Sequence, residues 1–162
     1  MTWILNQIPA KLPKINNAIL VEGLPDIGNV GKVVVDYLID NLKAVKLFNI
    51  FSHSFPHSVF VNEKSLIELP RVEIFYKKIN NHEFLFLTGD ILPVDEKACY
   101  EFCEKLLDLA PTLNYSEIIT LGGIGLAKIP KTPKVFCTGT SKKIVEKYSK
   151  SYKINSKVFG VV

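Results

Sequence analysis

Arginine is almost missing from this chain: Arg71 is the only one among 20 basic residues. Phosphates and base edges are gripped best by arginine forks. No stacking platform of aromatics is read among the lysines, so a nucleic-acid partner is not expected. Cysteine is scarce and odd in number, three in all, which fits a reducing compartment and excludes a disulfide framework. No apolar run reaches the ~18 residues of a bilayer span, and Met1 to Asn6 lack the charged start and apolar middle of a signal peptide. A cytoplasmic protein with no membrane partner is expected. Histidine supplies no metal site: His53 and His57 flank Ser54-Phe55-Pro56, which cannot be helical throughout, and His82 falls in a turn. Gly-x-Ser-x-Gly, the elbow of serine hydrolases, does not occur. Neither a metal nor another cofactor is expected.

What is present is a well-buried globular composition. The 162 residues are 48% hydrophobic, enough for one domain, 1–162, and one sizeable core. Ala18 to Glu22 reads as a first strand, after a lead-in of residues 1–17 broken by Pro9 and Pro13. Asn29 to Lys43 follows the helical template, with Val30, Val33, Val34, Tyr37, Leu38 and Leu42 on its apolar side. Further strands are expected at 44–51 and 58–61. Ile67 to Ile79 and Glu83 to Thr88 read as a β-hairpin around Asn80-Asn81, because asparagine tolerates positive φ. Asp95 is placed to cap a helix to Pro111 whose buried face runs Ala98, Phe102, Leu106, Ala110. Cys99 and Cys103, in the same helix, read as small core residues. Strands at 117–121 and 135–138, a helix from Thr140 or Ser141 to Tyr148, and apolar strand-like residues from Tyr152 to Val162 complete the pass. This alternation predicts an α/β fold, a mostly parallel central sheet with an antiparallel hairpin.

Charge is unevenly spread. From Lys128 to Lys157 nine lysines face a single acid, Glu146, a local charge of +8, whereas residues 1–127 carry −4. Either this is a solvated surface or it is a docking face for an acidic partner, with Lys142, Lys143 and Lys147 its candidate contacts.

Glycine concentrates at strand ends. Gly23-x4-Gly28-x2-Gly31-Lys32 invites comparison with nucleotide loops. The P-loop needs a lysine directly after its second glycine and then a hydroxyl residue; here Asn29 follows Gly28 and Val33 follows Lys32. The dinucleotide fingerprint needs Gly-x-Gly-x-x-Gly, and Asp26 stands where its first glycine belongs. A tight turn with close helix packing at Gly31 is preferred. Thr88-Gly89-Asp90 and Gly122-Gly123-Ile124-Gly125 end two other strands. If all three strands are parallel, these turns share the sheet's carboxyl edge, the usual ligand site of open α/β sheets. Gly23, Asp26, Gly28, Gly31, Asp90, Gly122, Gly123 and Gly125 are therefore the candidate ligand residues. Glu22, Asp26 and Asp90 either face one another there or serve as ordinary turn residues, the latter preferred.

The stretch Leu20-Val21-Glu22-Gly23-Leu24-Pro25-Asp26-Ile27-Gly28-Asn29-Val30-Gly31-Lys32 resembles the opening motif of the proteasome assembly chaperone two family in its archaeal form. Asp26 stands where many members have glycine. Tyr37-Leu38-Ile39, Phe55-Pro56 with Val59, Glu68-Leu69-Pro70, Thr88-Gly89-Asp90 and Ile119 to Gly125 continue the similarity over residues 15–140. The resemblance implies a three-layer α/β/α sandwich like the phosphorylase and peptidyl-hydrolase group. It implies a homo-oligomer that binds proteasome α-subunits without ATP. Family members are usually longer. The apolar end Val158 to Val162 is accordingly expected to be completed by further chain or by a partner subunit, and the hydrophobic-Tyr-x tail of some members is not present at this end.

Overall fold

A computed structural model describes residues 3–126, 128, 131–152 and 154–155. The chain divides into two compact units, residues 1–123 and 124–162.

The first unit is a six-stranded sheet of order β1-β3-β6-β7-β2-β8. Its strands are β1 (Trp3–Gln7), β2 (Ala18–Gly23), β3 (Val45–Ser52), β6 (Val72–Ile79), β7 (His82–Gly89) and β8 (Tyr115–Thr120); β4 (Phe60–Val61) and β5 (Ile67–Glu68) form a separate two-stranded arm. Helix α1 (Val30–Leu42) follows β2, and α2 (Glu96–Leu113) precedes β8. Strand β2 lies between β7 and β8 and is parallel to both. The β1–β3, β3–β6 and β6–β7 pairs are antiparallel. The expected mostly parallel sheet is thus corrected to a mixed one. The difference lies at β3, which pairs antiparallel with β6 on one side and on the other with Trp3–Gln7, an edge strand and not a lead-in, whose Trp3 ring packs on Phe55 and Phe102.

Alternation along the central strands builds two apolar clusters. Leu20, Leu85 and Leu87 join Phe102, Leu106, Leu109 and Leu113 of α2. Val21 and Phe86, from the opposite face, join Val35 and Ile39 of α1. Strands covered on both faces need an unbroken apolar run, which is why Ala18 to Val21 and Phe84 to Leu87 read as they do. In β3 the register shifts between Lys46 and Phe48. Such an irregularity breaks strict alternation, and Leu47 and Phe48 are both buried.

Local chemistry sets the ends. Asn80 adopts φ +53° in the two-residue turn between β6 and β7. Asp95 accepts a hydrogen bond from the N–H of Ala98 at 2.9 Å, capping α2. That helix runs past Pro111 to Leu113. Its Leu106 carbonyl accepts the hydroxyl of Tyr115, whose pKa burial pushes up to about 12.

Three local expectations change. The sheet-facing side of α1 is Gly31, Val35 and Ile39, leaving Val30, Val33, Val34 and Tyr37 exposed. Cys99 and Cys103 are exposed, not core, because the buried stripe of α2 runs through Ala98, Phe102, Leu106, Leu109 and Leu113. The run from Ile67 is interrupted at Pro70-Arg71, so the hairpin begins at Val72 and residues 67–68 pair with 60–61 instead.

In the second unit, α3 (Lys142–Tyr152) starts where Ser141 Oγ accepts from the N–H of Ile144 at 3.3 Å. It extends beyond Tyr148, whose ring stacks on that of Tyr152 one turn later. Tyr152 is therefore helical, not strand. The expected strand at 135–138 is a single parallel bridge, Phe136 to Asn155. Of the rest of the expected terminal strand, residues 153 and 156–162 lie outside the described residues.

Candidate functional site

Because β2, β7 and β8 are parallel, their glycine-rich ends share one sheet edge, as the sequence predicts. The geometry at that edge is a backbone clamp. After β2 the chain turns through a 3-10 turn, Ile27–Asn29, in which Gly28 takes φ +72° and Asn29 φ +52°. That left-handed pair aims the first turn of α1 against the segment leaving β8. A Cβ on Gly31 would lie 2.0 Å from the carbonyl oxygen of Leu121, and one on Gly23 would lie 2.2 Å from that of Gly31. Only glycine permits this approach.

Asp26 ties the clamp. Its Oδ2 accepts the N–H of Gly123, and its carbonyl accepts the N–H of Asn29 at 3.0 Å. Gly122 lies beside the same carboxylate: a Cβ there would be 3.1 Å from Oδ2. Glu22 Oε1 accepts the N–H of Leu24 at 3.1 Å, while its carbonyl takes that of Leu121 at 2.8 Å. Burial pushes the Glu22 carboxyl above its usual 4.5; the Leu24 N–H opposes this and the nearby Asp26 charge adds to it.

Asp90 belongs elsewhere. It lines a cavity of about 260 Å³ with Lys32, Asp36 and Asp40 of α1, Arg71 and Glu73, and Thr88. Asp26 is not among the lining residues, so Glu22 and Asp26 are neighbours but Asp26 and Asp90 do not share the cavity. The cavity's cations are already engaged. Lys32 pairs with Asp36 at 2.9 Å, and Arg71 Nε with Glu73 at 2.9 Å. Thr88 Oγ1 donates to Asp36 Oδ1 at 2.6 Å. Asp40 and Asp90 have no ion pair among the described residues. No histidine or cysteine lines the cavity, and among the described residues no three of His, Cys, Asp and Glu are grouped to hold a metal. The arrangement offers charge and hydrogen bonds, but no nucleophile with a base beside it. Asp36 and Asp40 were missed in the sequence because they fall on the polar side of α1. The run Lys32, Asp36, Asp40, each four residues after the one before, is the signal that could have found them.

The remaining candidates lie in the second unit. Gly125 is exposed. Lys142 and Lys143 are exposed on α3; Lys142 is 3.9 Å from Glu146, and the Lys147 ammonium lies 4.8 Å from the centroid of Tyr148. Among the described residues no helix is long and apolar enough to cross a membrane.

Comparison with known proteins agrees with this architecture. The fold matches Pyrococcus furiosus PbaB, an archaeal proteasome activator, with a TM-score of 0.89 and 29% identity, over 99% of this chain and 70% of that one. It matches P. furiosus PbaA, an archaeal homolog of proteasome-assembly chaperone, with a TM-score of 0.75 and 22% identity, over 98% and 66% of the two chains. An uncharacterized protein of Methanocaldococcus jannaschii is 28% identical over 147 residues; these are 91% of this chain but only 57% of that relative's length. The PAC2 family model matches residues 20–162, from the strand that opens the glycine clamp onward, and the chain belongs to the PAC2 family.

Proposed function

We propose that this chain is a non-enzymatic chaperone-like component of proteasome assembly, acting in the cytoplasm as an oligomer that binds proteasome α-subunits or similar assembly intermediates. The observation that carries the reading is the likeness to PbaB along 99% of the chain, joined to family membership. The site chemistry is consistent with it: the strand-end glycines serve as backbone contacts, and the cavity holds charges without catalytic machinery. The finer architecture in this reading is a three-layer α/β/α sandwich of the phosphorylase and hydrolase kind. Apolar burial supplies affinity, and the lysines of α3 add salt-dependent steering toward an acidic surface.

The test is native mass by size-exclusion with light scattering, alone and mixed with archaeal proteasome α-subunits. A new, heavier species in the mixture supports the reading; two unchanged peaks overturn it. If reversing Lys142, Lys143 and Lys147 to Glu leaves association and its salt dependence unchanged, steering by α3 is wrong.

A second reading is a nucleotide- or small-molecule-binding protein in which the cavity at Asp90 holds the ligand. The cavity's four carboxylates against two cations suit a small cation better than a phosphate. A thermal-shift screen with amines, nucleotides and divalent ions separates the readings, since a specific ligand raises Tm by mass action.

A further inference from the structure

The cysteines of α2 belong neither to the glycine clamp nor to the cavity. Cys99 and Cys103 are four residues apart, so their side chains lie on adjacent turns of one helix face. Both are exposed free thiols. Core packing, the ordinary use of a free cysteine, is closed to them, because the buried stripe of α2 runs through Ala98, Phe102 and Leu106. The Cys99 thiol has the Pro93 carbonyl as its hydrogen-bond acceptor, at 3.9 Å, too long to fix the sulfur in place. Burial, then the charges of Cys99 and Glu22, push the Cys103 thiol above its usual 9.0. Groups that are negative when ionised thus crowd one spot, and a cation there relieves them.

Magnitudes decide what two such thiols can do. Residues four apart on a helix have Cβ atoms about 5–6 Å apart, beyond the ~3.5–4.5 Å that a disulfide requires. Joining them to each other would unwind the start of α2. Two sulfurs that share one metal ion, each about 2.3 Å from it, can stand about 4.6 Å from one another, which that spacing allows.

The number of donors selects the ion. Structural zinc takes four ligands, and iron–sulfur clusters take four cysteines. Among the described residues no three of His, Cys, Asp and Glu are grouped to hold a metal, so both need more than α2 offers. A soft monovalent cation is satisfied by two thiolates in line, and thiolates select copper(I). We propose that Cys99 and Cys103 form a two-thiolate site for copper(I) on the exposed side of α2. Binding converts two thiols and one Cu⁺ into a bis-thiolate complex of net charge −1 and releases two protons, with no electron transferred. The site needs neither a proteasome partner nor a second copy of the chain, so it stands or falls apart from the proposed function.

The test is an anaerobic titration of the full, reduced chain with copper(I) in competition with bathocuproine disulfonate, a coloured copper(I) chelator. The chain is expected to take one ion from the chelator. Cys99→Ser and Cys103→Ser, both at exposed positions, are each expected to abolish the uptake, with melting curves in the absence of copper that match the parent. Cys137→Ser is expected to leave the uptake unchanged. No copper withdrawn from the chelator overturns the proposal. So does uptake that survives in either Cys99→Ser or Cys103→Ser, and so does an equal loss in Cys137→Ser, which would make binding a property of any free thiol.

Discussion

The glycine clamp and the β4–β5 arm are opposites. The clamp is rich in sequence motif, and its polar groups are turned on one another: Asp26 holds Gly123, Glu22 holds Leu24 and Leu121, and glycines bring backbone onto backbone. The arm has no motif beyond a good turn, and it leaves Val61 and Ile67 in solvent. Motif density here marks where the fold is hard to make.

The contrast predicts an unequal response to substitution. Gly31→Ala is expected to do most damage, because its methyl would enter the Leu121 carbonyl and backbone must move. Overpacking of this kind costs about 3 kcal/mol, a fall in Tm of roughly 6–12 °C for a chain of this size; an unchanged melting curve would refute the clamp. Next is Glu83, a buried carboxylate that accepts the N–H of Asn16 at 2.9 Å and sits 3.5 Å from Lys78. The Asn16 bond holds its pKa below 4.5, helped by Tyr76 and Lys78 against the cost of burial. A depressed carboxylate stabilises the fold above its unfolded pKa, and that stability is lost as pH falls through the folded value. Glu83→Gln is therefore expected to cost about 1 kcal/mol at pH 7, the gap from the parent closing below pH 4.5.

Glu22 has the opposite sign. Its raised pKa means that ionisation weakens the fold, so stability is full below 4.5 and declines as pH rises through the folded value. Glu22→Gln should raise Tm slightly at pH 7 and leave it unchanged at pH 4, measured by calorimetry at both. At the arm, Ile67→Lys should change monomer stability by less than ~0.5 kcal/mol, as exposed positions do. A larger loss in the isolated chain would mean that the arm has a core of its own.

Much of the first unit was legible in the sequence. The apolar runs of β2 and β7, the Asn80-Asn81 turn and the Asp95 cap are local features, and local chemistry decides them. The shared edge of β2, β7 and β8 followed from strands alternating with helices. The failures came where distant chain decides. Trp3–Gln7 becomes a strand only because β3 presents an edge to it. The rotation of α1 was misread because apolar residues cover well over half its circumference, so hydrophobic periodicity does not say which part of that arc is buried. Gly31 was the missing signal, since a glycine inside a helix marks its side of closest approach. Cys99 and Cys103 were misplaced because each lies one step from the buried stripe. At the candidate site, the parallel edge was foreseen, and Asp26 and Asp90 stand apart, as in the preferred of the two sequence readings. That separation depends on which carboxylate meets a backbone N–H, which spacing does not reveal.

The Asp26 bond to Gly123 joins residues 97 apart. Strand β2 also waits for both of its neighbours, β7 and β8, which come later in the chain. During synthesis at ~5–20 residues per second, the apolar run of β2 therefore spends roughly 5–20 s without its last partner after leaving the ribosome. For this chain the most dangerous interval is that delay in translation, when an unpaired central strand is open to any passing edge.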